Sequence, residues 1–364
     1  NIWWIHISIE NFSDTNAFIA ITLNSIFICF LAFYFAIFGI VSNISLKSSF
    51  PQIFIIPLIW LLLELARSNF FTGFPWLVTG YTQLDSPLAS LLPIIGAHGV
   101  SFVIVSLSFG VVSLFFPGRF YEKALIVFSI IGFISALNIV EPPPYTFKTK
   151  SRPFTISLIQ GSVPKHIRWS TNSTNLILEH YLELSKGEWG SDLVLWPETV
   201  FTKPFSFEEN EIKTLSNIAE KTDTNLILGI PFFDTHNSKI YNSVLLVGKS
   251  TDLYKKRKLV PFGEYFPFRG IVAGLYNKIN IPLSDFSQGP SGKNKIFIEK
   301  RAVGILICYE VIFSSIARSS IPEAEFIINV SNDSWFGDTV AAYQHLQIVR
   351  VRAAELGRPI IRAT

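Results

Sequence analysis

The first 140 residues hold only 4 of the chain's 30 Lys and Arg residues and 5 of its 27 Asp and Glu residues. A stretch that long with so few charges cannot cover itself with a water-compatible surface. Four apolar runs follow one another within it: Ala17–Val41, Phe54–Ala66, Leu88–Phe116 and Ala124–Val140. A bilayer core takes about 20 apolar residues of helix. The first and third runs are long enough, and the fourth sits at the short end of the range. The second carries the acid Glu64 and reaches spanning length only with Ile53 and the loop before it. A removable signal peptide has a single short apolar core and does not account for four runs. Residues 1–140 are therefore expected to form a multi-span α-helical membrane domain. Gly96, His98, Gly99 and Gly110 in the third run allow close packing or a bend.

Loop charges set an expected orientation. Lys47 lies between the first and second runs, and Arg119 and Lys123 between the third and fourth, so these cations share one side. The opposite side offers only Arg67, and residues 1–16 contain no Lys or Arg. The positive-inside rule places the Lys47 and Arg119 loops in the cytoplasm and sends the chain after Val140 to the other face. Pro142-Pro143-Pro144-Tyr145 reads as a stiff extended linker over 141–150.

Beyond the linker the pattern changes period. Strands are expected at Phe154–Gln160, Asp192–Glu198, Asn225–Phe232, Tyr241–Val247, Asp252–Val260, Lys295–Glu299, Ala302–Cys308 and Glu325–Val330. Helices are expected at Thr171–Lys186, Glu208–Lys221, Ile312–Arg318 and Ala341–Glu355. This mixture predicts a layered α/β domain over 151–364, and the consecutive strands from 225 to 260 argue against a purely doubly wound sheet.

Several functions are disfavoured. The net charge of +3 and the lack of a basic stripe with interleaved aromatics argue against nucleic-acid binding. No Gly-rich phosphate loop follows a strand. His166, His180, His236 and His345 are scattered singly, which suits surface or packing positions rather than a metal site. No cofactor is called for. The chain contains no Met and stops within an apparent strand at Pro359–Thr364, so it is expected to be incomplete at its N-terminus and truncated at its C-terminus.

Three polar groups punctuate the apolar strands. Glu198 ends Leu193-Val194-Leu195-Trp196-Pro197-Glu198, Lys256 follows Tyr254-Lys255, and Cys308 ends Gly304-Ile305-Leu306-Ile307-Cys308. A free cysteine is often a small core residue. Beside a carboxylate and an ammonium it has another use in acyl transfer. The thiol attacks a carbonyl, the carboxylate takes its proton, and the cation steadies the oxyanion. The other cysteine, Cys29, lies inside the first apolar run, so Cys308 has no evident disulfide partner.

These motifs, in this order, resemble the nitrilase (carbon–nitrogen hydrolase) superfamily. Trp196-Pro197-Glu198, Leu259-Val260-Pro261-Phe262-Gly263-Glu264, Cys308-Tyr309-Glu310, Ser331-Asn332-Asp333-Ser334-Trp335-Phe336-Gly337 and Glu355-Leu356-Gly357-Arg358-Pro359 together resemble the apolipoprotein N-acyltransferase family within it. Leu61–Arg67 and Thr72-Gly73-Phe74-Pro75-Trp76-Leu77, followed by Gly80-Tyr81, are similar to that family's membrane region.

The resemblance implies an α-β-β-α sandwich and a monomeric multi-pass enzyme of the bacterial inner membrane with its catalytic domain on the periplasmic side. It further implies a phospholipid acyl donor and a diacylglyceryl-cysteine lipoprotein as acceptor. Carried onto this chain, Glu198 is the general base, Cys308 the nucleophile and Lys256, three before Leu259, the triad lysine. Lys255 and Lys258 are left as a solvated basic edge. Glu264 holds the lysine and takes part in proton transfer, the Tyr309 N–H donates to the oxyanion, and Glu310 anchors the nucleophile turn. Trp169 and Trp335 serve either substrate binding or core packing. The apolar segment Phe262–Tyr276 suits a lid that dips into the membrane. A membrane-tethered nitrilase-like amidase and a non-catalytic membrane sensor or scaffold are the alternatives.

Overall fold

The computed structural model describes residues 2–12, 16–45, 52–116, 120–139, 153–164, 167, 173–265, 267, 286–292 and 294–364. Its contacts divide into two units. The first comprises Asn1–His6, Asn16–Thr146 and Thr339–Gly357, and the second Ile7–Thr15, Phe147–Asp338 and Arg358–Thr364. The expected linker at 141–150 lies outside the described residues.

A short helix, α1 (Ile5–Phe12), precedes the helices of the first unit, which are α2 (Ala17–Ser45), α3 (Gln52–Asn69), α4 (Leu92–Ser113) and α5 (Phe120–Ile139). Among the described residues, three helical stretches are long and apolar enough to cross a bilayer: Ala17–Ser45, Pro87–Ser113 and Phe120–Leu137. Their outward faces carry exposed Phe18, Phe33, Phe128 and Ile131, side chains that lipid accommodates and water does not. Helix α3 contains the second apolar run but brings Glu64 and Arg67 into its last turns. Both are buried, and both serve the loop that follows. Glu64 Oε1 accepts from Thr79 N and Oγ1 at 2.8 Å each, and Arg67 Nη2 donates to Leu77 O at 2.5 Å.

The bend allowed by the glycines of the third run occurs at Gly96, where φ is 66° and ψ 175°. The break frees the N–H of Ala97, and Glu355 Oε1 accepts it at 2.9 Å. The positive φ favours glycine here, and a Cβ on residue 96 would stand 2.8 Å from that oxygen and displace the carboxylate.

The second unit holds two sheets. The first runs β1 (Ile156–Leu158), β2 (Leu193–Leu195), β3 (Asn225–Asp234), β4 (Lys239–Val247) and β5 (Asp252–Lys255), in that spatial order. The β1–β2 and β2–β3 pairs are parallel, and the later two pairs are antiparallel. The second sheet runs β6 (Lys295–Ile298), β7 (Arg301–Ile307), β8 (Phe326–Val330) and β9 (Ile360–Ala363), with the last three parallel.

Side chains on a strand alternate between faces, and that alternation builds the layers. Leu193, Leu195, Ile227, Val244 and Leu246 meet Val303, Ile305, Ile307, Ile328 and Val330 in one buried layer between the sheets. The intervening Val194, Leu226, Leu228 and Leu245 point the other way, onto Ile177 and Tyr181 of α6 (Ser173–Ser185) and Ile212 and Leu215 of α7 (Glu209–Lys221). Each fully buried aliphatic side chain contributes about 1.5–3 kcal/mol relative to exposure. Helix α8 (Ser314–Ser319) follows β7, and α9 (Val340–Leu356) follows β8.

Three expected strands end well short. Strands β1 and β2 each cover three residues rather than the seven expected. The strand expected to run to Val260 stops at Lys255, because its hydrogen bonds change partners there. Lys256 N still donates to Asn242 O at 2.8 Å, but Lys256 O accepts from Gly289 N at 2.8 Å.

Candidate active site

Strand β7 is buried as far as Ile307, and Cys308 then adopts φ 48°, a left-handed conformation that costs a non-glycine residue about 1–2 kcal/mol. A single helical turn, Cys308–Ile312, follows. The fully buried carboxylate of Glu310 holds this turn in place. Its Oε2 accepts from Ile307 N at 2.8 Å, and its Oε1 accepts from Arg257 N at 2.6 Å and Lys258 N at 3.2 Å. The Tyr254 hydroxyl lies 2.9 Å from both oxygens and itself accepts from Arg257 Nε at 3.0 Å. Burial pushes the Glu310 carboxyl up, while the donors at Ile307 and Arg257 favour the anion. One side chain thus joins the cysteine turn to the segment that carries Lys256.

That lysine is almost completely buried between two carboxylates. Its Nζ lies 2.8 Å from Glu264 Oε1 and 3.4 Å from Glu198 Oε1. Asn242 Nδ2 donates to the same two oxygens, at 2.6 Å to Glu264 and 2.8 Å to Glu198. The second oxygens differ. Glu264 Oε2 accepts from Val260 N at 2.8 Å, whereas Glu198 Oε2 is buried without a hydrogen-bond partner. Of the two carboxylates, Glu198 therefore has the oxygen available to take a proton.

The charges are arranged consistently with that use. Burial pulls the Lys256 ammonium down, but Glu264, Glu198 and Cys308 outweigh it, so Lys256 stays protonated. Burial pushes the Cys308 thiol up to about 12, aided by Glu198 and opposed by Lys256. The resting sulfur is a neutral thiol that needs a base. Among the described residues no group of three His, Cys, Asp or Glu is arranged to hold a metal.

The backbone around Glu198 is equally constrained. Thr199 has φ 54°. Strand β3 passes so close that a Cβ on Gly229 would stand 2.6 Å from Glu198 Cα and from Thr199 N.

The other candidates are placed as follows. Tyr309 is buried, its phenol is pushed up by burial, and its ring meets Phe313 edge-on at 5.1 Å. Trp335 lies half-buried in the turn after β8, where its carbonyl accepts from Ser8 Oγ at 2.8 Å. Trp169 lies outside the described residues, as do Phe266 and 268–276 of the expected lid, while Phe262 is exposed with φ 64°.

The basic edge expected at Lys255 and Lys258 is a different structure. Lys255 sits 3.1 Å from Asp234 and rests on the Phe232 and Tyr241 rings, and Lys258 lies half-buried over Phe313. Aromatic faces attract these stems and heads more than open solvent does.

Sequence reasoning missed Asn242 and Tyr254. The signal for Asn242 was a polar pair, Asn242-Ser243, inside an otherwise apolar strand. A buried amide needs partners, and here the partners are the two carboxylates.

Residues 155–364 match the carbon–nitrogen hydrolase family, and residues 1–110 match the apolipoprotein N-acyltransferase N-terminal domain. The apolipoprotein N-acyltransferase of Photobacterium profundum is 31% identical over 375 residues, covering 100% of this chain and 72% of that protein. The protein of the same name from Haemophilus influenzae is 32% identical over 378 residues, covering 99% and 71%. The chain belongs to the apolipoprotein N-acyltransferase family. It is accordingly a bacterial membrane acyltransferase with a membrane helical domain and a nitrilase-like domain. A solved carbon–nitrogen hydrolase from Helicobacter pylori is similar at 20% identity and a TM-score of 0.41, over 57% of this chain and 72% of that one.

Proposed function

We propose that this chain moves a fatty acyl group from a membrane phospholipid to the N-terminal amine of a diacylglyceryl-cysteine lipoprotein, with Cys308 as carrier. Glu198 Oε2 takes the thiol proton as the sulfur attacks the ester carbonyl. Lys256 and the Tyr309 N–H stabilise the oxyanion. As the tetrahedral intermediate collapses, the carbon–oxygen bond breaks and the proton on Glu198 passes to the departing lysophospholipid. The acceptor amine then attacks the thioester, its proton goes to Glu198, and from there to the released sulfur. Glu264, with both oxygens engaged, positions Lys256 and moves no proton.

The observation that carries the reading is the asymmetry of the two carboxylates, one oxygen of Glu198 being left unpaired in a site that holds a neutral thiol. The enzyme works as a monomer in the inner membrane, multi-pass, with its catalytic domain, residues 151–364, on the periplasmic side. The sparse loop charges and the apolar character of Phe262–Tyr276 support that placement.

Incubating the protein with phospholipid and measuring its intact mass tests the first half-reaction. One acyl adduct is expected, and Cys308→Ala should lack it; an adduct that persists in this variant would sink the assignment. Adding labelled phospholipid and a diacylglyceryl peptide tests the second half. Labelled acyl-peptide is the expected product, whereas free fatty acid alone would favour an amidase-like hydrolase.

A further inference from the structure

A second polar chain reaches Cys308 from the neighbouring strand β8. Strands β7 and β8 pair in parallel with Ile307 beside Val330, so Cys308 and Ser331 occupy the next rung at their carboxyl ends. The Ser331 side chain is buried and within hydrogen-bonding reach of the Cys308 sulfur, a contact that by itself favours the thiolate, whereas the Asp333 charge beyond it favours the thiol. Its hydroxyl also donates to Asp333 Oδ1 at 2.8 Å. Arg362 Nη2 grips Asp333 at both oxygens, at 2.9 and 2.8 Å, while Arg362 Nη1 donates to Asn329 Oδ1. Asn329 Nδ2 closes the circuit on Leu306 O at 3.0 Å, two residues before the nucleophile.

A hydroxyl has one hydrogen to give. While Ser331 gives it to Asp333, only lone pairs face Cys308, and those accept from S–H but repel a thiolate. We propose that Asp333, clamped by Arg362, holds the Ser331 proton and so keeps Cys308 as a neutral thiol between turnovers. The thiolate is the form open to oxidation and alkylation, so this arrangement protects the sulfur at rest. When Glu198 takes the thiol proton during attack, Ser331 rotates its hydrogen onto sulfur. Asp333 loses one bond and keeps both to Arg362. Ser331 and Asp333 are positioning residues, acting on the acyl carrier assigned above. The other charged groups facing the sulfur are Glu198 after β2 and Lys256 after β5, with the Tyr309 phenol nearby.

The test is a double-mutant cycle read by alkylation of Cys308. The full chain, carrying Cys29→Ala and held in detergent micelles, reacts with iodoacetamide between about pH 6 and pH 10, and intact mass follows the rate. Asp333→Asn keeps the size and an acceptor for Arg362 but removes the charge that holds the Ser331 proton. It should speed alkylation near neutral pH about tenfold and move the rate profile to lower pH. In an S331A chain the same substitution should change the rate by less than about threefold, because the relay is gone. An unaltered rate in D333N overturns the proposal. So does equal acceleration with and without Ser331, which would mean Asp333 acts through space. Should D333N fold poorly, Arg362→Lys, which loosens the clamp and keeps the charge, must accelerate alkylation as well, and no acceleration counts against the proposal. Acylation by phospholipid is measured separately, so failure of the functional reading and failure of this one are distinguishable.

Discussion

Glu310 is a carboxylate with no water to face and four donors around it: the N–H groups of Ile307, Arg257 and Lys258 and the Tyr254 hydroxyl. Glu310→Gln keeps the shape but turns an N–H₂ toward those donors. It is expected to cost about 2–4 kcal/mol and to impair acylation, measured by thermal unfolding and adduct mass. Lys256→Met leaves Glu198 and Glu264 facing each other without their cation. A loss of about 3–5 kcal/mol is expected, along with loss of the acyl adduct.

The Cys308 thiol, pushed up to about 12 from an ordinary 9.0, predicts a pH dependence. Iodoacetamide should label Cys308 more slowly than a free cysteine at neutral pH, with the rate still climbing well above pH 9. Once pH passes the ordinary thiol range the unfolded chain ionises while the folded one does not. Cys308 therefore withdraws stability as pH rises from 9.0 toward about 12. A rate that levels off below pH 9 would contradict both expectations.

At the scale of elements, the site is built where regular structure stops. Cys308, Thr199 and Phe262, each in the left-handed region, stand at or next to the ends of the segments that carry Cys308, Glu198 and Glu264. Such conformations persist only when their surroundings hold them. Gly229 is one of those surroundings. Gly229→Ala should push Glu198 off its bonds to Asn242 and Lys256, costing about 1–3 kcal/mol and lowering the acylation rate more than stability alone accounts for. Melting temperature and acylation rate, measured on the same sample, check this.

Much at this scale was legible beforehand. Near-continuous apolar runs marked β3, β4, β7 and β8, because a strand buried on both faces has no solvent side to keep polar. The end of β5 was not legible, since it depends on Gly289 taking the carbonyl of Lys256 from a distant part of the chain. The same holds for Lys255. Its side chain turned to Phe232 and Tyr241 because neighbouring strands, not its own sequence, supplied the rings.

For the whole molecule, the chain returns to its first unit late. Helix α9 meets residues from the start of the sequence: Trp4 and Trp76 donate to Gln344, Gln347 donates to Tyr81 O, and Arg352 Nη2 donates to Tyr81 OH. Shortening the chain to 147–364 removes those partners. Hydrogen exchange across Val340–Leu356 is expected to become fast in that shortened chain, while β3 and β4 stay protected. Protection of α9 there would show that it needs nothing from residues 1–146.

By itself the sequence determined the oily first part, the sandwich strands and the identity of Glu198, Lys256 and Cys308 as candidates, because hydropathy and short motifs are local properties of a chain. Which carboxylate keeps an unpaired oxygen, how Asn242 joins the two carboxylates, and how Glu310 and Ser331 hold the cysteine turn were decided only by the tertiary structure. The Asn242–Glu198 bond, 44 positions apart, depends on the strand order of one sheet, and the Arg257–Glu310 bond, 53 apart, on two sheets closing on each other; no local pattern records either.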